Sequence, residues 1–317
     1  MSVPRYLVTG GDGFIGSHLV RRLVSRGEVV VVVQPGCDLL RLGPLQKDIE
    51  LCSVDVRDDV KIRELVKTAR PTTIFHLAAA GMVPGKESPG DVMTVNVSGA
   101  YNILAGMLAT GQVEAAVFAG SWYEYGRALT EVAAERVPQP MSVYGVSKLA
   151  ATLLVQTFAS RLNLPAVVVR PFQVYGPMEL PHRLIPQIMR SAKTGAKLEL
   201  NTPQARRDWI YVEDVAAALD LASKSSCRGK IVDVGTGATT TVSDVAQMLF
   251  ELMGVRSKGP SSAPVERRAR SDLGGDASLS GAADVSVAKA LLSWQAEHTL
   301  REGLRRTVEW HRQQGGV

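Results

Sequence analysis

RYLVTGGDGFIGSHLVRRLV, residues 5–24, decides how the rest of the chain is read. A short β-branched and aromatic run at 5–9 passes through Gly10, Gly13 and Gly16 into an apolar-periodic stretch that opens at Phe14 and Ile15 and continues to about residue 26. The first glycine permits a tight turn, the second lets the backbone approach an anion, and the third lets a helix pack onto the strand. The helix N-terminus adds amide N–H groups and partial positive charge suited to a pyrophosphate. Three spaced glycines alone say little. Set between a strand and a helix in a βαβ-length unit, they predict a dinucleotide site.

The same rhythm continues downstream. Apolar runs at about 5–9, 29–34, 50–54, 72–77, 114–119 and 166–171 read as strands. They are apolar throughout rather than alternating, as strands covered on both faces should be. Helices fit at about 14–26, 58–69, 91–109, 142–162, 183–194, 213–224, 242–253, 284–292 and 300–313. Strands alternating with amphipathic helices predict an α/β fold, a doubly wound parallel sheet of Rossmann type. After Pro171 the texture changes: 172–206 is rich in Pro and Gly, GKIVDVG at 229–235 restores a strand, and 257–281 is a Ser, Gly and Ala-rich surface loop. We therefore expect a dinucleotide-binding domain from 1–171 plus about 207–240, and a smaller, discontinuous substrate-binding lobe from about 172–206 and 241–317. GTG at 235–237 reads as a turn before a helix capped by Ser243.

With 317 residues, a formal charge of +5 and 45% hydrophobic residues, the chain has the balance of a soluble globular protein, and disordered and fibrous classes are excluded. No basic block interleaved with aromatics argues for nucleic acid. Cys37, Cys52 and Cys227 lie far apart, so neither a disulfide framework nor a metal site is indicated. The longest aliphatic run, five valines at 29–33, is too short to cross a bilayer, and no cleavable signal is evident, so a cytoplasmic location is expected.

Where the second strand ends, an NAD site usually carries an acid for the ribose diol; here stands Gln34. A neutral amide does not repel a 2′-phosphate, which tilts the expectation to NADP(H) over NAD(H), with Arg41 the nearest downstream cation. Tyr144 and Lys148, four apart in YGVSK, share a helix face, so the ammonium can lie near the phenol and lower its pKa. Ser121 follows a strand in GSWYEYG, and His76 inside a strand reads as a core histidine.

TGGDGFIG, DVRD, HLAAA, NVSGAYNIL, GSWYEYG, YGVSK, RPFQVYGP and RDWIYVEDVAAA occur here in an order that resembles the extended short-chain dehydrogenase/reductase family, in its branch of nucleotide-sugar epimerases, dehydratases and reductases. The resemblance covers nearly the whole chain. It implies that Ser121, Tyr144 and Lys148 are catalytic and that Asp55 and Val56 lie at the adenine. Leu77, Ala78 and Ala79 would line the central phosphates and ribose, with Asn96 in support and Pro171 beside the cofactor. It places Gln173, Arg207 and either Arg268 or Arg270 toward a nucleotide-diphosphate sugar, with Trp122 and Tyr123 in the sugar pocket. In the branch's 4,6-dehydratases an Asp and a Glu follow the catalytic hydroxyl. Here those places hold Trp122 and Tyr123, and Glu124 comes one residue late, so elimination of water is not expected.

The serine segment is most similar to that of 4-keto-6-deoxyhexose reductases. The leading expectation is therefore NADPH-dependent reduction of a nucleotide-linked 4-keto-6-deoxy sugar. The alternative is an NAD-dependent 4-epimerase, and a third reading is a non-catalytic dinucleotide sensor. The family also implies a homodimer through the helices at 91–109 and 142–162, with Leu149, Leu153 and Phe158 on the outward face.

Overall fold

The computed structural model describes residues 3–81, 87–126, 137–224, 227–255 and 280–315. Strand β1 (Arg5–Thr9) leads into α1 (Phe14–Leu23), β2 (Glu28–Val33), β3 (Glu50–Ser53), α2 (Asp59–Ala69) and β4 (Thr73–His76). Then come α3 (Pro89–Met93), α4 (Gly99–Thr110), β5 (Ala115–Ala119), α5 (Val143–Arg161) and β6 (Ala166–Pro171). The remainder comprises β7 (Gln173–Tyr175), α6 (Leu184–Thr194), β8 (Arg206–Arg207), β9 (Trp209–Tyr211), α7 (Val212–Ala222) and β10 (Ile231–Val234), followed by β11 (Thr240–Thr241), α8 (Val242–Leu252), α9 (Ser286–Leu292) and α10 (Leu300–Gln313).

Seven strands form one parallel sheet in the order β10-β6-β5-β4-β1-β2-β3. The valine runs show why the sheet is buried on both faces. Val29, Val31 and Val33 face one apolar layer with Tyr6, Val8 and Phe75, whereas Val30 and Val32 face the other with Leu7 and Ile74. Helices α1 and α7 cover the first side, α2, α4 and α5 the second. The chain runs from β1 outward to β2 and β3, then restarts at β4 on the other side of β1. That reversal opens the crevice at the carboxyl ends of the strands where ligands bind in such sheets. This is a Rossmann-type α/β fold.

Two helices depart from the sequence reading. The stretch expected as one helix at 91–109 begins at α3, held by a Ser88–Asp91 capping box, and passes through a π turn at Thr94–Ser98 before resuming as α4. The span Pro89–Thr110 is apolar and long enough to cross a membrane by composition, yet half of its most apolar window is buried inside this fold. Helix α8 is capped by Thr241, whose side chain accepts from Asp244 N, rather than by Ser243. The short strands β7, β8, β9 and β11 had no sequence signal of their own; β7 pairs with β9 and β8 with β11, in two separate two-stranded sheets.

Candidate active site

The glycine turn is shaped as its sequence predicts. Gly10 has φ +67°, and a Cβ there would lie 2.7 Å from Ala78 N. A Cβ on Gly16 would lie 2.1 Å from Gly10 O, so that position needs hydrogen for the helix to close on the turn. Gly13, the N-cap of α1, has only Gly10 O at 3.0 Å beside its absent side chain. No side chain caps α1 and no acid stands in its first turn, which leaves a cradle of amide N–H groups with the electrostatics an anion requires. The residues present therefore fit a dinucleotide.

Around that cradle, Thr9 and Asn96 brace the neighbouring loop. Thr9 Oγ1 pairs with His76 Nδ1 at 2.8 Å and accepts from Ala78 N at 3.3 Å. Asn96, on the π turn, clasps Ala80 through both its N–H and its C=O, at 2.8 and 3.1 Å, and also donates to Ser147 Oγ at 2.8 Å. The loop holding Leu77, Ala78 and Ala79 is thus tied to both β1 and α5. Burial pushes the His76 imidazole down to about 3, so it is a neutral core histidine. Asp55 forks onto Arg57, which holds its carboxyl below the ordinary range, and Val56 packs against Gly99 while its carbonyl accepts from Asn102. Pro171 closes the buried strand β6.

Gln34 is exposed just beyond β2. Arg41 does not point to it freely: its guanidinium donates to Met178 O at 2.9 Å and more weakly to Asp12 O at 3.4 Å. His18 Nε2 lies 3.0 Å from Pro177 O, so His18 on α1 and Arg41 beyond β2 both fasten the segment after β7.

Ser121, Tyr144 and Lys148 converge and are all buried. Ser121 ends the crossing from β5 and caps the short 3₁₀ turn Trp122–Glu124, its hydroxyl accepting from Tyr123 N at 3.3 Å and lying near enough to the Tyr144 phenol to hold its pKa down. Lys148 Nζ donates to Ala119 O at 2.6 Å. Spacing alone suggested that the ammonium would lower the phenol's pKa. The structure corrects this: burial dominates and pushes Tyr144 up to about 12, with Ser121 and Arg183 pulling it back. Burial lowers Lys148 to about 8. A bound cation or a change of solvation at this cluster would have large leverage on the proton, as proton-transfer sites require.

Trp122 stacks on Phe172, with centroids 5.7 Å apart and planes at 25°, and Tyr123 meets Tyr144 edge to face at 5.7 Å. Both are therefore wall residues packed in an aromatic cluster, with no carboxylate in their places. Glu124 turns away, fully buried, to Arg170. Gln173 and Arg207 are buried neighbours joined by a long 3.5 Å contact, and Arg207 also lies over the Trp209 ring. Arg268 and Arg270 lie outside the described residues. Sequence reasoning missed Arg183, which precedes α6, acts on the Tyr144 phenol and reaches Glu179 Oε1 at 3.5 Å. Burial raises the Glu179 carboxyl to about 7. A basic residue ahead of a helix carries no distinguishing signal; only the fold brings Arg183 to the phenol.

A sequence profile described as the NAD dependent epimerase/dehydratase family matches residues 6–235. The chain belongs to that family. Among its relatives, a UDP-glucuronate 4-epimerase of Thermodesulfobacterium geofontis is 28% identical over 97% of this chain and 96% of its own length. A trifunctional UDP-glucose 4,6-dehydratase/UDP-4-keto-6-deoxy-D-glucose 3,5-epimerase/UDP-4-keto-L-rhamnose-reductase of Arabidopsis thaliana is 28% identical over 97% of this chain, which spans only 47% of that relative. The crystal structure of Thermus thermophilus UDP-glucose 4-epimerase with NAD superposes with a TM-score of 0.84 at 31% identity, covering 99% of this chain and 100% of the other. Family membership makes the chain an enzyme of the NAD dependent epimerase/dehydratase family, in agreement with the resemblance carried by its motifs.

Proposed function

We propose that this chain is a nucleotide-sugar 4-epimerase that retains NAD. The observation that carries the reading is the buried Ser121, Tyr144 and Lys148 cluster, walled by Trp122 and Tyr123 where elimination would need carboxyl groups. Such a site can move a proton and a hydride at one carbon without expelling water. The 4-epimerase names among the relatives favour this over the ketoreductase first expected from the serine segment.

NAD in the glycine cradle supplies reversible hydride acceptance. The chain's own residues do the rest. Tyr144 Oη takes the proton of the sugar's C4 hydroxyl as hydride leaves C4 and returns it to the same oxygen when hydride is restored to the opposite face of the carbon. Ser121 Oγ holds that oxygen, and Lys148 stands one helical turn along α5 from the phenol, held on Ala119 O. Arg207 and Gln173 face the nucleotide-diphosphate end, where a planar fork suits phosphate oxygens. Arg41 is engaged by two carbonyls, which favours NAD, whereas the neutral Gln34 is the one observation that keeps the NADPH-dependent ketoreductase as a second reading.

The test is direct. UDP-glucose or UDP-glucuronic acid supplied without external cofactor should yield its 4-epimer with no net change in nicotinamide absorbance. Stoichiometric loss of NADPH absorbance with a nucleotide-4-keto-6-deoxyhexose, and no epimer from either UDP-sugar, would transfer the assignment to the reductase.

Pairing of two copies through α4 and α5 belongs to the same proposal. Tyr101, Leu108 and Leu153 are about half exposed on these helices, although Leu149 and Phe158 are more enclosed than the sequence suggested. Apolar side chains gathered on adjacent helices fit a four-helix interface around a two-fold axis. Sedimentation at micromolar concentration should give about twice the 34.0 kDa chain mass; a single-chain mass rejects the pairing.

A further inference from the structure

Under the Ser121, Tyr144 and Lys148 cluster lies a buried ion pair that the proposed chemistry does not use. Glu124 Oε1 accepts from Ser121 N at 2.8 Å, and Oε2 accepts from Arg170 Nε at 2.7 Å and faces its terminal nitrogen at 2.6 Å. Glu124 is 0% exposed and Arg170 3% exposed, so neither charge is there for solubility. Residue 120 is glycine for a reason that involves this carboxylate: a Cβ there would lie 2.7 Å from Glu124 Oε1 and 2.8 Å from Arg170 Cγ. The residue before it, Ala119, supplies the carbonyl that receives the Lys148 ammonium. One carboxylate therefore grips the backbone on which both Ser121 and the Lys148 acceptor sit.

We infer that Glu124 is a positioning residue for the proton-transfer cluster, fixing the Ser121 backbone and setting the charge that Tyr144 and Lys148 feel. In water the pair would contribute little, but out of solvent a full charge acts strongly on its neighbours. Its field raises the proton affinity of both Tyr144 and Lys148.

The other charged and titratable neighbours are accounted for. Arg183, from the segment before α6, opposes Glu124 at the phenol, and Tyr123 on the 3₁₀ turn acts in the same sense as Glu124. His76 on β4 is neutral beside Lys148. Behind Arg170, Tyr125 Oη accepts from the guanidinium at 3.0 Å and donates to Asp233 at 2.6 Å; Asp284 acts on Asp233 in turn. Glu124 is thus the member of the network that touches the catalytic backbone.

This inference rests on the proton-transfer reading of Tyr144, but it is tested without any sugar. Tyrosinate absorbance is titrated on the NAD-loaded protein, and the curve of the Tyr144→Phe form of each variant is subtracted, which isolates one phenol. Glu124→Gln keeps shape and removes charge. Its Tyr144 midpoint should fall by about half a pH unit or more, because a repelling anion is lost and Arg170 is left less compensated. Glu124→Asp keeps the charge on a shorter arm and should leave the midpoint within about 0.2 unit of the parent.

An unmoved midpoint in Glu124→Gln, or equal falls in both variants, overturns the inference. If Glu124→Gln does not fold, Arg170→Met decides: with its cation removed, Glu124 should raise the Tyr144 midpoint by about half a pH unit or more, and an unmoved midpoint overturns the inference. Retained turnover in Tyr144→Phe would instead defeat the proposed function, whichever way the midpoints move.

Discussion

Tyr144→Phe should lower turnover by roughly two or more orders of magnitude while NAD affinity stays near that of the parent, the loss expected when a general acid–base group is removed. The substitution deletes one oxygen. The ring keeps its edge-to-face contact with Tyr123 and its place on α5, so the packing around it is undisturbed. What disappears is the hydroxyl that meets Ser121. Steady-state rates and a fluorescence titration with NAD check the two halves separately, and turnover within a few-fold of the parent would make Tyr144 a packing residue.

Asp208→Ala should cost about 3–5 kcal/mol of folding stability, because each buried donor left without its acceptor costs about 1–3 kcal/mol. The carboxylate is fully buried and accepts from Thr236 N and Oγ1 at 2.7 Å each, from Gly237 N at 2.9 Å and from Ala283 N at 3.0 Å. Burial raises its pKa while those donors pull it down, so the bonds are what make the charge tolerable. Truncation leaves backbone N–H groups without partners in a space too closely packed for easy relaxation: even a Cβ on Gly235 would meet Asp208 Oδ2 at 2.4 Å. Urea unfolding should show a lower midpoint with an unchanged slope. A loss below about 0.5 kcal/mol, the size of an ordinary surface effect, would refute the account.

The glycine turn, the valine strands and the Tyr144–Lys148 spacing were legible because each is written in a short window whose period matches one element. Asp208 and Glu124 were not. Both work across long sequence separations, with Glu124 meeting Arg170 46 residues away, and local periodicity holds no record of such a meeting. One clue did exist: Arg170 stands in the apolar run AVVVRP, and a cation inside a buried strand demands a partner. The surroundings of Arg41 were hidden for a related reason. Proximity in sequence to Gln34 suggested a phosphate ligand, whereas the folded chain offers its guanidinium two carbonyls, one of them 137 residues distant. The direction of the Tyr144 shift was misread because spacing reveals a neighbouring charge but says nothing of depth.

The π turn at Thr94–Ser98 bears on how this chain is to be aligned with others. An α-helix advances about 100° per residue, so one extra residue in a turn rotates everything beyond it by that amount. Asn96 reaches Ala80 and Ser147 from inside the widened turn. Deleting one residue between Met93 and Gly99 would restore a continuous helix, but it would swing Asn96 out of its bonds or turn Ile103, Leu104 and Met107 away from the layer they fill. A relative lacking the bulge must therefore show a one-residue gap here. Insertions and deletions at this point are therefore constrained: a change of one residue can keep the register of α4 or the clasp of Asn96 on Ala80, but not both.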